Sequence, residues 1–320
     1  MVQLSFQGYS KNPSVPSAID RFTKTPIEMH YLSHRIPCTL CGSISEPVLK
    51  INDHVIYECV KCIHRMIEQR DVNSHVESIY GDSYFTEGGA GYDDYVAEYD
   101  ILLNHGHYYS ELLMKYIEKP GKLFDVGSAA GFILKGFVDQ GWDGSGVEPN
   151  NTMAGYAREE LGLDVCTNTI ENYTSKNTVD LLTMIQVVAH LINPKTVMQK
   201  CKSMLNPKAY VLLETWNYRS MTARILGSRW HEYSPPSVVH WFSRRSLDAL
   251  MVNNGFEKIA TGHPKKYITA GHAKSLLQYQ YKMKAYTMEY IVNKILKFVP
   301  DDFRLRYPAE DLFWSLYRLK

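Results

Sequence analysis

Two groups of residues in this chain have the types and spacing to do chemistry. The first is four cysteines in two close pairs, Cys38-Thr-Leu-Cys41 and Cys59-Val-Lys-Cys62. Each C-x2-C pair can fold as a knuckle that brings two sulfurs to one place, and two knuckles supply the four thiolates a tetrahedral ion takes. Four sulfur ligands leave no open coordination position, so the ion is expected to be structural. Zinc is the expected metal, and iron satisfies the same spacing. The segments 47–51 and 55–57 between the pairs suit a short hairpin, and a module this small needs the ion to hold it together. His64, just beyond the last pair, reads as a surface residue and not as a ligand.

The second group is Lys122-Leu-Phe-Asp125-Val-Gly127-Ser-Ala-Ala-Gly131-Phe-Ile-Leu134, with Gly146-Val-Glu148-Pro-Asn150 downstream. An apolar run ends in an acid, a turn of small residues follows, and an apolar helix begins; this is how a buried parallel strand hands over to a helix. Gly127 and Gly131 permit backbone conformations and close approaches that a side chain would block, and the helix start offers unpaired N–H groups to a ligand. The spacing is Asp-x-Gly-x-x-x-Gly. Asp125 stands where a dinucleotide site has the first glycine of Gly-x-Gly-x-x-Gly, and a carboxylate there repels phosphate and suits a cationic amino group. Glu148, at the end of the next strand, is placed to bind the two hydroxyls of a ribose.

These residues need a scaffold, and the chain supplies strands alternating with helices. A helix is expected over 152–161, strands over 163–166 and 180–186, a helix over 196–205, a turn at Asn206-Pro-Lys208 and a strand over 209–213. Five strands so spaced require a parallel sheet with helices on both faces. Ser243 reads as the N-cap of a helix over 245–254 that Gly255 stops, followed by strands over 256–260 and 312–318. Upstream, Val96, Tyr99, Leu102, Leu103, Tyr109, Leu112, Leu113 and Tyr116 fall at helical spacing in a Tyr-rich stretch.

The whole expected division is an arm over 1–34, a cysteine module over 35–70, a Tyr-rich helical lid or linker over 71–119, and a body over 120–320 with insertions at 216–242 and 270–300. With 320 residues, 45% of them apolar and 22% charged, the chain can bury one large core and carry a small extra module. A formal net charge of +1 gives no global case for nucleic acid or an anionic membrane. No run of about 18 apolar residues is present and residues 1–12 lack a signal peptide's apolar segment, so a cytoplasmic setting is expected.

The motifs Leu-Phe-Asp125-Val-Gly127-Ser-Ala-Ala-Gly131 and Gly-Val-Glu148-Pro resemble the first two motifs of class I S-adenosylmethionine (SAM) dependent methyltransferases. The resemblance covers about residues 36–320 and implies a Rossmann-like, mostly parallel seven-stranded sheet with an N-terminal zinc ribbon and helical insertions, the last strand entering antiparallel. It also implies that the turn at Asp125, Gly127 and Gly131 holds the methionine end of SAM, that Glu148 holds its ribose, and that Ile170 and Glu171 contact its adenine. Gln186 closes the fourth strand beside the cofactor. Tyr84, Phe85 and Tyr92 are similar to the Tyr-Phe and Gly-Tyr of methyltransferases that begin with such a cysteine module, and are candidates to flank SAM, whose sulfonium suits an aromatic face.

Gln186-Val-Val-Ala189-His190-Leu-Ile-Asn-Pro194 is similar to a post-strand Glu-His-x-x-x-Pro motif with Ala189 in place of the acid. His190 and His240 are the candidate bases, since imidazole suits that task; His231 and Glu214 stand behind them. His240 lies two residues beyond the family's usual slot, which Val238 fills. Acceptor binding is expected of the segment from Trp216 to His240. The expected reaction is methyl transfer to a small-molecule acceptor, a sugar, nucleotide-linked sugar or secondary metabolite, on oxygen in preference to carbon or nitrogen. Two other readings stay open: an RNA methyltransferase that grips RNA with its cysteine module, and a non-catalytic scaffold that binds SAM. The basic insertion with Lys282, Lys284, Lys294 and Lys297 reads as a lid or a homodimer face, with a membrane-surface helix the alternative.

Overall fold

The structure is a computed structural model, and it describes residues 34–68, 95–175, 177–265, 267–269, 300, 304–306 and 309–320. Residues 1–33 of the N-terminal arm, the residues Tyr84, Phe85 and Tyr92, and the Lys-rich insertion over 273–298 lie outside the described residues.

The body is a seven-stranded sheet. Its first five strands are β5 (Lys122–Val126), β6 (Asp143–Glu148), β7 (Asp164–Thr167), β8 (Val179–Ile185) and β9 (Leu205–Trp216), which pair parallel to one another. The last two, β11 (Phe256–Gly262) and β14 (Leu312–Leu319), complete the order β7-β6-β5-β8-β9-β14-β11, with β14 antiparallel to both neighbours. The chain leaves β5 toward one edge and returns at β8 to build the other. The carboxyl ends of β5 and β8 therefore flank the place where the strand order reverses and the helices on either side part to open a crevice.

Helices cover both faces. On one lie α1 (Tyr99–Leu113), α2 (Phe132–Asp139) and α3 (Asn151–Glu159), whose Tyr109, Leu113, Leu134, Phe137 and Ala157 bury against Leu123, Leu181 and Leu212 of the sheet. On the other lie α4 (Pro194–Ser203) and α6 (Arg244–Asn253), with Met198, Cys201, Leu247 and Leu250 on Phe124, Leu182 and Val211. The local signals that set these helices are present: Asn150, Asn193 and Ser243 accept capping bonds at the three N-termini. Helix α1 crosses α2 at Gly106 and Gly136 so closely that a Cβ on Gly106 would lie 2.2 Å from the Ile133 carbonyl oxygen. Only a pair of glycines allows that crossing, and it fixes how α1 sits over the end of the sheet.

Two segments differ from the sequence reading. The turn expected at Asn206-Pro-Lys208 is a bulge inside β9, with Lys208 at φ 64, and pairing with β8 resumes at Tyr210. The cysteine module is not self-contained. Its strands β1 (Ile36–Pro37), β2 (Ile44–Ile51), β3 (His54–Cys59) and β4 (Arg65–Ile67) form an antiparallel sheet whose fifth member is β10 (His240–Trp241), contributed by the body.

The segment between Trp216 and β10, which includes α5 (Met221–Leu226), seats Trp230, Tyr233 and Trp241 against Leu49, Ile56 and Ile67 of the module. The aromatic residues of this insertion thus join the module to the body. A two-stranded ribbon, β12 (Tyr267–Thr269) with β13 (Arg304–Arg306), closes the base of the second insertion.

Candidate active site and metal centre

The crevice at the carboxyl ends of β5 and β8 is a real cleft, of about 550 Å³ counting its open mouth. Asp125, Gly127 and Ser128 line it from β5 and its turn, Ile185 and Gln186 from β8, Leu102 and His105 from α1, and Tyr267 from the ribbon under the second insertion. Gly127 and Gly131 hold φ at 73° and 82°, the left-handed region, and a Cβ on Gly127 would lie 2.5 Å from Val187.

Asp125 is buried and accepts from the Thr183 hydroxyl at 2.6 Å. Glu148 reaches across the turn, accepting from the Ala129 N–H at 2.9 Å and the Asn150 N–H at 2.8 Å. Burial pushes Asp125 up to about 6 against hydrogen bonds from Thr183 and Ser128. Burial also raises Glu148 to about 7, the Asp125 charge adding to it, despite the two backbone N–H groups.

A carboxyl held above its ordinary value stabilises the fold while it keeps its proton. That stability is full at low pH and is lost as the pH rises through the folded value. The ligand-free protein should therefore lose stability between about pH 4 and pH 7, by up to about 3 kcal/mol from each group. Thermal unfolding of the wild type and of Glu148→Gln across that window measures it. A wild-type midpoint that changes no more steeply with pH than that of the variant would contradict the assignment.

Ile170 is buried and Glu171 part-exposed on the turn after β7, where the Glu171 carbonyl accepts from Lys200 at 2.6 Å; neither lines the cleft. His190 also lies off the cleft, its Nδ1 donating to the Ser237 carbonyl at 2.9 Å, and burial holds its imidazole below the ordinary range.

His240 is fully buried on β10, and its Nδ1 is 2.9 Å from Nε2 of His64. With the Ile192 carbonyl accepting from His240 Nε2 at 3.4 Å, His64 is the donor of the pair. His64 itself is fully buried, not a surface residue, because it packs against His240 and Phe242 of the body. Sequence reasoning missed His105, which lines the cleft. Its one signal was its neighbour Gly106, a glycine inside a helix, which marks a close helix contact.

The four cysteines converge. Their sulfurs lie within 4.8 Å of one another, and three pairs are 3.5 to 3.6 Å apart. A tetrahedron of sulfurs about 2.3 Å from a central ion has edges of about 3.8 Å, so the cluster has the size a zinc or iron ion needs. The Cys62 N–H points at Cys59 Sγ at 3.4 Å, a donor that suits a thiolate. The hydrogen bond with Cys38, burial and the Cys38 charge all drive the Cys62 thiol upward. A bound cation would reverse that shift by favouring the thiolates, and the four sulfurs are placed to hold one.

The strand order and the cleft define the class as the α/β fold of class I methyltransferases. Residues 103–261 match a family model described as a methyltransferase domain. The ubiquinone biosynthesis O-methyltransferase of Histophilus somni (strain 2336) is 23% identical over 152 residues, covering 39% of this chain and 64% of that one. The protein of the same name from Actinobacillus pleuropneumoniae serotype 7 is 25% identical over 167 residues, covering 46% and 71%. The chain thus spans 64 to 71% of the length of these two relatives.

Among solved structures, a SAM-dependent methyltransferase of Thermotoga maritima, described as a possible histamine N-methyltransferase, aligns with TM-score 0.45 at 17% identity over 71% of this chain and 96% of that one. One from Archaeoglobus fulgidus aligns with TM-score 0.47 at 14% identity over 70% and 98%. The matched segment, residues 103–261, lies within the body that carries this fold.

Proposed function

We propose that the chain moves the methyl group of SAM to a hydroxyl of a small organic acceptor, with Cys38, Cys41, Cys59 and Cys62 holding one structural zinc. The observation that carries the reading is the cleft at the reversal of strand order, where a buried carboxylate, Asp125, occupies the position a phosphate site keeps for glycine.

When bound, SAM supplies an electrophilic methyl on a cationic sulfur. Asp125, Gly127 and Gly131 would hold its amino-acid end, Glu148 its ribose hydroxyls, Ile170 and Glu171 its adenine side, and Gln186, with Tyr92 beyond the described residues, the region of the sulfur. Asp125 must ionise to meet the cationic amino group and Glu148 to accept from both ribose hydroxyls, so SAM should bind more tightly as the pH rises through about 6 to 7. None of the described residues lining the cleft is Lys or Arg, so these residues offer no cation to a nucleic-acid backbone, which favours a small acceptor over RNA. The relatives named O-methyltransferases favour oxygen as the accepting atom. Among the described residues no helix is long and apolar enough to cross a membrane.

Calorimetry with SAM and, separately, with NAD tests the reading: one SAM per chain, tighter at pH 8 than at pH 5.5, and no heat with NAD. Binding of NAD without SAM would overturn it.

A further inference from the structure

We propose that His105 is the base that takes the proton from the acceptor hydroxyl, with Glu214 holding its imidazole in the working tautomer. The inference rests on the methyl-transfer reading above.

His105 lies on α1, and the glycine crossing beside it sets the height of that helix over the cleft it shares with Asp125, Gly127 and Gln186. Its Nε2 is 3.0 Å from Oε2 of Glu214, a fully buried carboxylate near the end of β9. The same Oε2 accepts from the Tyr109 hydroxyl, and Oε1 accepts from Gln186 Nε2 at 3.0 Å. Burial and the Glu214 charge hold the Tyr109 phenol well above its ordinary range, so it remains a donor. Three donors converge on one buried carboxyl group, so both of its oxygens are engaged as acceptors.

With Glu214 Oε2 as the acceptor, the neutral His105 ring carries its proton on Nε2 and keeps a lone pair on Nδ1. Nδ1 is the ring nitrogen that Glu214 leaves unused, on a residue that lines the cleft. Gln186 ties the pair to the cofactor side, since it lines the cleft and bonds the same carboxylate.

In the step this arrangement serves, the acceptor O–H bond breaks and its proton passes to His105 Nδ1. The oxygen lone pair forms the new O–CH3 bond as the C–S bond breaks, and that bond's electron pair stays on sulfur, which becomes a neutral thioether. The imidazolium so formed faces Glu214 and later returns its proton to water. A base aligned in this way contributes about 10²- to 10⁴-fold to rate.

The first test needs no acceptor. In full-length protein labelled with ¹⁵N-histidine, long-range NMR correlations identify the His105 ring by its loss in His105→Gln. At pH 8 the ring should be neutral, protonated on Nε2, with Nδ1 perturbed when S-adenosylhomocysteine is added. A proton on Nδ1, or a doubly protonated ring, overturns the proposal.

The second test uses catechol as the probe acceptor, with turnover read as S-adenosylhomocysteine formed. His105→Gln and Glu214→Gln should each lower kcat by about 100-fold or more, while the SAM dissociation constant stays within about two-fold. A dissociation constant that rises in step with the lost turnover would make the pair part of cofactor binding and overturn the assignment. Absence of SAM binding to the unsubstituted protein sinks the methyl-transfer reading itself, whereas SAM binding with the wrong tautomer sinks only the base.

Discussion

Disrupting the four-cysteine cluster should lower the unfolding midpoint of the body of the protein and not merely fray its N-terminal module. The cluster stands where β1 to β4 have little core of their own: Cys38, Cys59, Cys62 and Met66 are buried in the same cluster as Leu191, Phe242 and Leu247 of the body. Strand β4 is paired to β10, the Tyr218 hydroxyl donates to the Ile63 carbonyl, and Arg245 donates to the Lys61 carbonyl at 3.2 Å. Loosening the knuckles therefore unseats contacts on both sides.

Structural zinc in small modules carries an apparent binding free energy of about 10 to 16 kcal/mol near neutral pH, much of it folding energy. Replacing Cys59, fully buried, by serine should abolish stoichiometric metal and lower the midpoint by about 10 °C, the shift that several kcal/mol gives in a chain of this size. Elemental analysis of the purified protein and scanning calorimetry read the two effects together. A metal-free Cys59→Ser protein that unfolds at the wild-type midpoint would show that the cluster bears no weight.

Replacing Glu148 by alanine should weaken SAM binding by about 30- to 300-fold, the effect of losing a charged acceptor for two hydroxyls. The carboxylate is not free to wander, because the Ala129 and Asn150 N–H groups pin one oxygen each. It is thus preorganised, and the ribose has only to displace or share those bonds. Alanine also leaves the two N–H groups without their acceptor, so glutamine serves as the control: it keeps the volume and one acceptor, and its loss should be smaller. Metal content should be unchanged in both variants. An alanine variant with wild-type affinity would place the ribose elsewhere in the cleft.

What could be read in the sequence is what local chemistry dictates. The glycine turn, the Ser243 cap with Gly255 behind it, the paired knuckles and the alternation of strands each depend on a few adjacent residues, and each stands close to where it was expected. What could not be read depends on distant partners. His64 looked like a surface residue because nothing near it in the chain covers it; its cover, His240 and Phe242, belongs to the body. Trp230 and Tyr233 looked like parts of an acceptor site because aromatic and polar residues past the fifth strand fit that role, yet they are spent on Leu49, Ile56 and Ile67. His105 and Glu214 meet only because two glycines let α1 come down onto α2.

The two-residue strand β10 has a consequence for how the chain is made. During synthesis β4 leaves the ribosome long before β10, with strands β5 to β9 translated in between. The nascent module then waits with Ile56 and Ile67 uncovered and His64 without its His240 cover until residues 230–242 arrive. The module is therefore sealed late, from the far side of the sequence, and a chain cut short before β10 would keep its metal ligands while leaving an adhesive apolar flank for chaperones to hold.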